Sequence, residues 1–473
     1  MRTIPGEKDD RERSGAPPGT RETAFRILWE CENRKTPLKT LLAEEPGSLG
    51  EARDRRLVHE LVLGTLRFRS RLEYLISSAS GVPAARIEKK LRVLLGLGAY
   101  QLIRMSRIPE YAAVNEIVAL ARKLAGGRRA AGFANAVLRK IAASGKDIKL
   151  PDAEKDPEGY LAVTLGHPRW LARKWVKRLG FEETASLEEA NNERPPCFFF
   201  PNPLHPDASS LFLESRARAD DDNGLVYEPF PTVPGCLKAD RSLGASAAAR
   251  EGLIQIQDAA SRLVCLLLGA VAGERVLDAC SAPGGKSAAL AALMDNKGLI
   301  VAADSSFPRL AEAAKSFRRL RVENAAPVLT DFAAGPPFLG TFDRILLDAP
   351  CTGTGTLRRN PDIKWNLTAA ALARAARIQK KLLRSVSQSL KAGGVLVYST
   401  CSLEEEENEN VVRDFISGNA DFVHEPLERF LSMEARDFSF FKPFATPDGF
   451  LRSYPHRHGM DGFFAAVLRR IAA

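Results

Sequence analysis

The chain has 473 residues, 45% hydrophobic and 27% charged, a length that predicts two or three domains and a composition ordinary for a soluble protein. Its net charge of +10 is unevenly placed, with 29 Lys and Arg against 17 Asp and Glu in the first 150 residues and 39 against 41 in the rest. A basic front on a nearly neutral remainder suits a polyanion-binding module beside a catalytic one. No apolar run approaches the roughly 20 residues of a membrane span, and the charged start MRTIPGEKDDRERSG lacks the apolar core of a secretory signal. No membrane association and a cytoplasmic location are therefore expected, with a monomer as the default. The 7 cysteines include no CxxC pair and the 6 histidines no HExxH, so neither a disulfide framework nor a metal site is expected.

Residues 1–19 are polar and rich in Pro and Gly, a composition that predicts a disordered tail. From Thr20 to Ala143 the period is helical: Thr23, Ala24, Ile27 and Leu28 repeat at helix spacing, as do Leu57, Val58, Leu61 and Val62. Breaks at Pro46-Gly47-Ser48, Gly81-Val82-Pro83, Ile108-Pro109 and Gly126-Gly127 predict an all-α bundle of about six helices. The stretches RDRRLVHELVLGTLRFRSRLEYLI (Arg53 to Ile76), LRVLLGLGAYQLIRMSRIPEYAAVNEIVALAR (Leu91 to Arg122) and GFANAVLRKI (Gly132 to Ile141) resemble the NusB-type helical domain. That resemblance implies RNA binding for residues 20–143; a bundle that only scaffolds its neighbour is the alternative.

Residues 144–250 read as a charged linker and a small α+β subdomain. In its first part Trp170, Leu171, Trp175, Val176 and Leu179 form an apolar stripe, whose aromatics are expected in a core rather than as stacking platforms for bases. Short strand-like pieces follow up to Asp240, with an acidic patch at Asp220-Asp221-Asp222. The subdomain resembles the pre-catalytic region of RNA cytosine methyltransferases, but Phe198-Phe199-Phe200-Pro201-Asn202 departs from the family's strand, so no RNA contact is carried over to it.

From residue 251 to 473 apolar strands alternate with helical stretches, which predicts a doubly wound α/β sheet of the Rossmann-like kind. Candidate strands are 275–279, 298–303, 326–330, 343–348, 394–399 and 462–468. In such sheets ligands bind beyond the carboxyl ends of the strands. The first ends in Cys280-Ser281-Ala282-Pro283-Gly284-Gly285-Lys286, a tight turn into a helix that admits a nucleotide-like ligand. The turn carries neither GxGxxG nor GxxxxGK[ST], which argues against NAD and against phosphate cradling. Asp304, Asp331 and Asp348 stand at the next three strand ends. Three neighbouring carboxylates repel unless partnered, and S-adenosylmethionine, a sulfonium with ribose hydroxyls and an adenine amine, would satisfy them. For Asp304, before Ser305-Ser306, a helix-capping role is the alternative.

Two strand-end loops carry thiols: Asp348-Ala349-Pro350-Cys351-Thr352-Gly353-Thr354-Gly355 and Tyr398-Ser399-Thr400-Cys401-Ser402. A thiol has a use here, because carbon 5 of cytosine is a poor nucleophile. A thiolate added to carbon 6 makes carbon 5 an enamine carbon that accepts a methyl group, after which loss of the carbon-5 proton and of sulfur restores the ring. Asp348 is placed to bond the N3/N4 edge of the base. A buried structural cysteine is the alternative for each thiol taken singly.

The motifs LDACSAPGGKS, LLDAPCTGTGTLRRNPDIKW, VYSTCSLEEEENE and DGFFAAVL, preceded by GLIQIQDAASRLV, resemble the Nol/Nop/Sun class of RNA 5-methylcytosine methyltransferases. With the NusB-like front the resemblance covers about residues 20–470 and extends to the class's bacterial members acting on 16S rRNA. It implies a class I methyltransferase domain and S-adenosylmethionine as cofactor, bound by residues Cys280 to Lys286, Asp304, Asp331 and Asp348. It further implies Cys401 as nucleophile, Cys351 in product release and Asp348 as a catalytic group. Asn360 stands where histidine is common in the class, so no role is carried to it. Arg358, Arg359 and Lys364 are expected to keep their loop basic for RNA phosphates. A non-catalytic RNA-binding or assembly factor on the same fold is the alternative function, against which the two strand-end thiols argue.

Overall fold

The structure, a computed structural model, describes residues 19–33, 36, 38–44, 51–144, 148–208, 226–434 and 439–471. Residues 1–18 of the expected tail, the break at Pro46–Ser48 and the patch Asp220–Asp222 lie outside them. There are two compact units: Met1–Glu188 with Asn360–Trp365, and Glu189–Arg359 with Asn366–Ala473.

The first unit is helical among the described residues: α1 (Thr20–Asn33), α2 (Leu38–Glu44), α3 (Ala52–Arg67), α4 (Arg69–Ser80), α5 (Lys89–Arg104), α6 (Glu110–Leu124), α7 (Gly127–Ser144), α8 (Pro157–Leu165) and α9 (Arg169–Leu179). The helical period is fulfilled where it was clearest, with Val58, Leu61 and Val62 of α3 buried against Leu94, Leu97, Ile117 and Leu138. Among the described residues seven helices, against the expected six or so, lie in 20–144, with α3 and α4 parting at Phe68, a position with no Gly or Pro. Phe68 leaves helical geometry at φ −107°, ψ 18°. Its ring stacks on Tyr100 at 6.5 Å with the Arg104 guanidinium 4.4 Å above it, so tertiary packing ends α3 where local propensity does not. On α9, Leu171 and Trp175 of the stripe are fully buried and Val176 and Leu179 half-buried, whereas Trp170 is 38% exposed.

Asn360–Trp365 completes this unit. Helix ends leave carbonyls without partners, and a cation there is favourable. The end of α3 receives both: Trp365 Nε1 donates to Leu66 O at 2.8 Å and Lys364 Nζ to Arg67 O at 2.9 Å. Arg69 lies 5.2 Å over the Trp365 ring. Gly166, at φ +72°, packs against the same turn so closely that a Cβ would lie 2.7 Å from Arg67 O. Lys364 is 1% exposed. Burial pushes its ammonium down, while Glu188, also buried, is pushed up by desolvation and drawn back by Lys364. Lys364 therefore cannot serve an RNA phosphate as the sequence suggested.

In the second unit a four-stranded sheet, β1 (Cys197–Pro201), β2 (Tyr227–Pro229), β3 (Leu237–Ala239) and β4 (Ile254–Ile256), has the order β2-β3-β1-β4. The Phe-rich stretch is its core strand, with Phe198, Phe199 and Phe200 buried, and Asn202 Nδ2 is spent on Gly252 O and Leu320 O. The larger sheet has β5 (Arg275–Asp278), β6 (Leu299–Asp304), β7 (Ala325–Leu329), β8 (Phe342–Asp348), β9 (Leu390–Thr400), β10 (Phe422–Glu425), β11 (Leu451–Ser453) and β12 (Phe463–Arg470). Its order is β10-β12-β9-β8-β5-β6-β7, with β11 on β12.

Strands β5 to β9 pair in parallel. Helices on both faces bury such strands, which explains runs like Ile345-Leu346-Leu347, all fully buried. The last three strands depart from the parallel expectation, since β12 runs antiparallel to β9, β10 and β11. From β5 the chain winds outward through β6 and β7 and then returns to place β8 on the other side of β5. The switch point, where α/β sheets open a crevice at the strand ends, thus lies between β5 and β8. If the Lys364 bonds fasten Asn360–Trp365, Lys364→Met should lower the stability of the first unit by about 1–3 kcal/mol, the scale for leaving a buried acceptor without its donor. Urea unfolding checks this, and an unchanged or raised midpoint would contradict it.

Candidate active site

At the end of β5, Asp278 is fully buried and accepts from Ser287 Oγ at 2.6 Å. Burial pushes its carboxyl up to about 7. The intervening turn contains a cis Ala282–Pro283 peptide and Gly284 at φ +92°. Gly284 is required because a Cβ would lie 2.8 Å from the Phe317 ring. Asp304, at the end of β6, fastens the turn: it accepts from Ala282 N at 3.2 Å and from Ser306 N at 2.9 Å, with Arg309 3.6 Å away. The local capping contact and the contact to the turn are therefore made by the same side chain. Arg309 also bonds Ala282 O.

Lys286 leaves the turn toward β8 and pairs with Asp348 Oδ2 at 2.5 Å, while Ser399 Oγ donates to Asp348 Oδ1 at 2.9 Å. Burial opposes the Lys286 charge most strongly, but Asp348, Cys265 and Asp278 together outweigh it and the net shift is upward. The carboxylates expected to need a ligand thus have partners within the chain. Asp331 is set apart: it is exposed and closes a turn by accepting from Ala333 N at 2.8 Å. Burial, and after it the Asp278, Asp304 and Asp348 carboxylates, push the Cys280 thiol upward.

The two thiol loops meet. Strands β8 and β9 pair with Asp348 opposite Ser399, so both chains leave the sheet at one level and Cys351 Sγ lies 3.2 Å from Cys401 Sγ. Backbone and hydroxyl groups join the loops: Gly355 N donates to Cys401 O at 2.9 Å and Leu403 N to Thr354 Oγ1 at 2.8 Å. Gly355 in turn accepts from Gly462 N at 2.8 Å, and an added Cβ would lie 2.0 Å from Gly462 O. Contact with Cys401, burial, and the Cys401, Glu407 and Asp348 charges all push the Cys351 thiol well upward.

Donors and acceptors at the crevice fit a nucleoside sulfonium. Ser281 Oγ and Asp278 Oδ1 are buried with no hydrogen-bond partner among the described residues. Asp278, Asp304 and Asp348 stand around the turn and the adjoining strand ends, and carboxylates suit a positive charge. Of the two arginines read as RNA-facing, Arg358 is internal, as Lys364 is, whereas Arg359 is held in ion pairs with about a third of its side chain exposed. Arg359 pairs with Asp461 and Asp258, each at 2.7 Å, and Arg358, 3% exposed, reaches Gly459 O at 3.3 Å. Sequence reasoning missed Asp278 and Glu407. Among the described residues no group of His, Cys, Asp or Glu is arranged to hold a metal, and no helix is long and apolar enough to cross a membrane.

Residues 265–469 match the family described as 16S rRNA methyltransferase RsmB/F, and residues 18–143 match the NusB family. Ribosomal RNA small subunit methyltransferase B of Pseudomonas putida is 34% identical over 96% of this chain and 99% of its own. The protein of the same name from Vibrio cholerae is 34% identical over 88% and 90%. The crystal structure of PH0851 superposes with a TM-score of 0.75 at 25% identity, covering 95% of this chain and 98% of that one.

The sulfur separation predicts that phenylarsine oxide, which bridges two close thiols, binds tightly at one equivalent and that Cys351→Ala or Cys401→Ala removes this binding. Gly355→Ala, which forces the loops from Gly462, should weaken it about tenfold or more, on the overpacking scale of about 1–3 kcal/mol. Retention of tight binding in either cysteine variant would contradict the pairing.

Proposed function

The chain belongs to the ribosomal RNA small subunit methyltransferase B family, and on that premise we propose that it methylates carbon 5 of cytosine 967 of 16S rRNA through a transient bond from Cys401 Sγ to carbon 6. It is a methyltransferase of rRNA that uses S-adenosylmethionine. The observation carrying the proposal is the pair of sulfurs 3.2 Å apart, beside the Lys286–Asp348 pair at the mouth of the switch point.

Residues Cys280 to Lys286, with Asp304, Asp331 and Asp348, would hold the cofactor, which when bound supplies an electrophilic methyl carbon for the activated base. Cys401 adds to carbon 6 and breaks the ring's conjugation. Asp348, fixed by Lys286 and Ser399, orients the base through its N3/N4 edge; its two bonded oxygens retain lone pairs for this. After carbon 5 is methylated, its proton passes to solvent, the C5=C6 bond re-forms and Cys401 leaves as thiolate. The Cys351 S–H, kept by the surrounding charges, donates to the departing sulfur and lowers its basicity. Carbon 6 is shielded inside a base stack, so the cytosine is flipped out.

The helical unit supplies RNA affinity in this reading. Arg128, Arg129, Arg139 and Lys140 are exposed on α7, and because 128 and 139, like 129 and 140, are eleven residues apart they share one face. Such contacts act through phosphates and are salt-dependent.

Bisulfite mapping of 16S rRNA tests the proposal. A strain lacking the protein is expected to lose one 5-methylcytosine, restored by the wild-type chain and not by Cys401→Ser. Unchanged rRNA would contradict the substrate. Restoration by Cys401→Ser but not by Cys351→Ser would reverse the thiol roles.

A further inference from the structure

The run Glu404-Glu405-Glu406-Glu407-Asn408-Glu409 follows the Cys401 loop and has the look of a solvated charged turn. It folds inward. Glu404, Glu407 and Asn408 are fully buried, while Glu405 is exposed. Asn408 supports its own loop, with Nδ2 donating to Ser402 O at 2.9 Å and Oδ1 accepting from Thr400 Oγ1 at 2.5 Å. Glu407 reaches three segments. It accepts from Thr352 N at 2.9 Å and from Thr352 Oγ1, in the residue next to Cys351. It accepts from Ser402 Oγ at 2.5 Å, in the residue next to Cys401. It accepts from Gln379 Nε2 at 3.0 Å, and the same Nε2 lies 3.0 Å from Pro350 O.

We propose that Glu407 is a positioning residue that holds the Cys351 loop against the Cys401 loop and thereby governs release of the methylated base; this rests on the reading of Cys401 as nucleophile. A buried carboxylate with four donors is fixed in place, since charge-assisted bonds are short and strong and leaving any of them unmade is costly. Its four donors come from the neighbours of both sulfurs and from the Gln379 side chain, so a shift of Glu407 must change the sulfur separation. Its charge adds a second effect. A carboxylate beside a thiol disfavours the thiolate, and Glu407 is among the groups that push Cys351 upward, after Cys401 and burial. At release the C6–S electron pair returns to Cys401 Sγ and the electrons of the C5–H bond form C5=C6 as that proton passes to water. Cys351 lends a hydrogen bond without giving up its proton. Glu407 keeps that donor both protonated and within reach.

The test uses the full chain, a 16S rRNA transcript and S-adenosylmethionine, with Glu407→Gln, Cys351→Ala and wild type compared. An RNA–protein adduct stable in denaturant should accumulate in Cys351→Ala. It should also accumulate in Glu407→Gln, with turnover reduced by on the order of 10- to 100-fold, the range a misplaced reacting group costs, and KM for RNA unchanged. A second measurement separates this from general loosening. In a Cys401→Ser background, iodoacetamide labelling of Cys351 followed by peptide mass spectrometry should shift its midpoint to lower pH by about one unit on Glu407→Gln. Wild-type release together with an unmoved labelling curve would overturn the proposal. Should Glu407→Gln fail to bind S-adenosylmethionine, Thr352→Val, which removes one donor and no charge, must show a smaller accumulation, and its absence overturns the proposal too. Lack of adduct in Cys351→Ala would instead remove the nucleophile assignment, while the labelling shift would still report on Glu407.

Discussion

The bond from Gly355 N to Cys401 O, with its companion from Leu403 N to Thr354 Oγ1, is the contact on which the chemistry of this chain depends. Adjacent strands of a sheet lie about 4.8 Å apart, so loops leaving two neighbouring parallel strands start at a separation that two side chains must still close. Register pairing of Asp348 with Ser399 sets the loops level. Cross-bonds then draw them together, and Gly355, with no Cβ to hold it off Gly462, lets them approach. Two sulfurs in contact follow from those constraints.

Charge organises the other wall of the crevice. A partly buried ion pair is stabilising only when its desolvation is offset by good geometry and further bonds, and Asp348 has both, from Lys286 and from Ser399. The glycine turn delivers Lys286 to that place, and Asp304 holds the turn through the Ala282 amide. Strand ends β5, β6 and β8 are thereby linked into one edge at the topological switch point, which sets the glycine turn and the Asp348 carboxylate side by side.

Much of this was legible in the sequence because the signals are local. Six strand positions of the large sheet lie within a few residues of their apolar runs, and Asp278, Asp304 and Asp348 at the ends of three of them meet around the glycine turn. What was not legible depends on contacts far along the chain. The strands β10, Phe-Val-His-Glu, and β11, Leu-Arg-Ser, are short and mixed in polarity, and only pairing with β12 makes them strands. The RRNPDIKW loop offers three cations to solvent when read as sequence, yet Arg358 and Arg359 are held near Asp461 and Lys364 caps α3. Glu407 sits in a run of four glutamates whose composition says surface. The donors that make its burial tolerable, Thr352 and Gln379, are 55 and 28 residues distant.

The central claim is that the sulfur of residue 401, and no other, bonds carbon 6 of the target pyrimidine. Peptide mass mapping of the covalent complex formed with a transcript containing 5-fluorocytidine and S-adenosylmethionine measures this directly. The account predicts one modified peptide, the one carrying Cys401, with the Cys351 peptide unmodified. A nucleotide mass on the Cys351 peptide, or on neither, would contradict it.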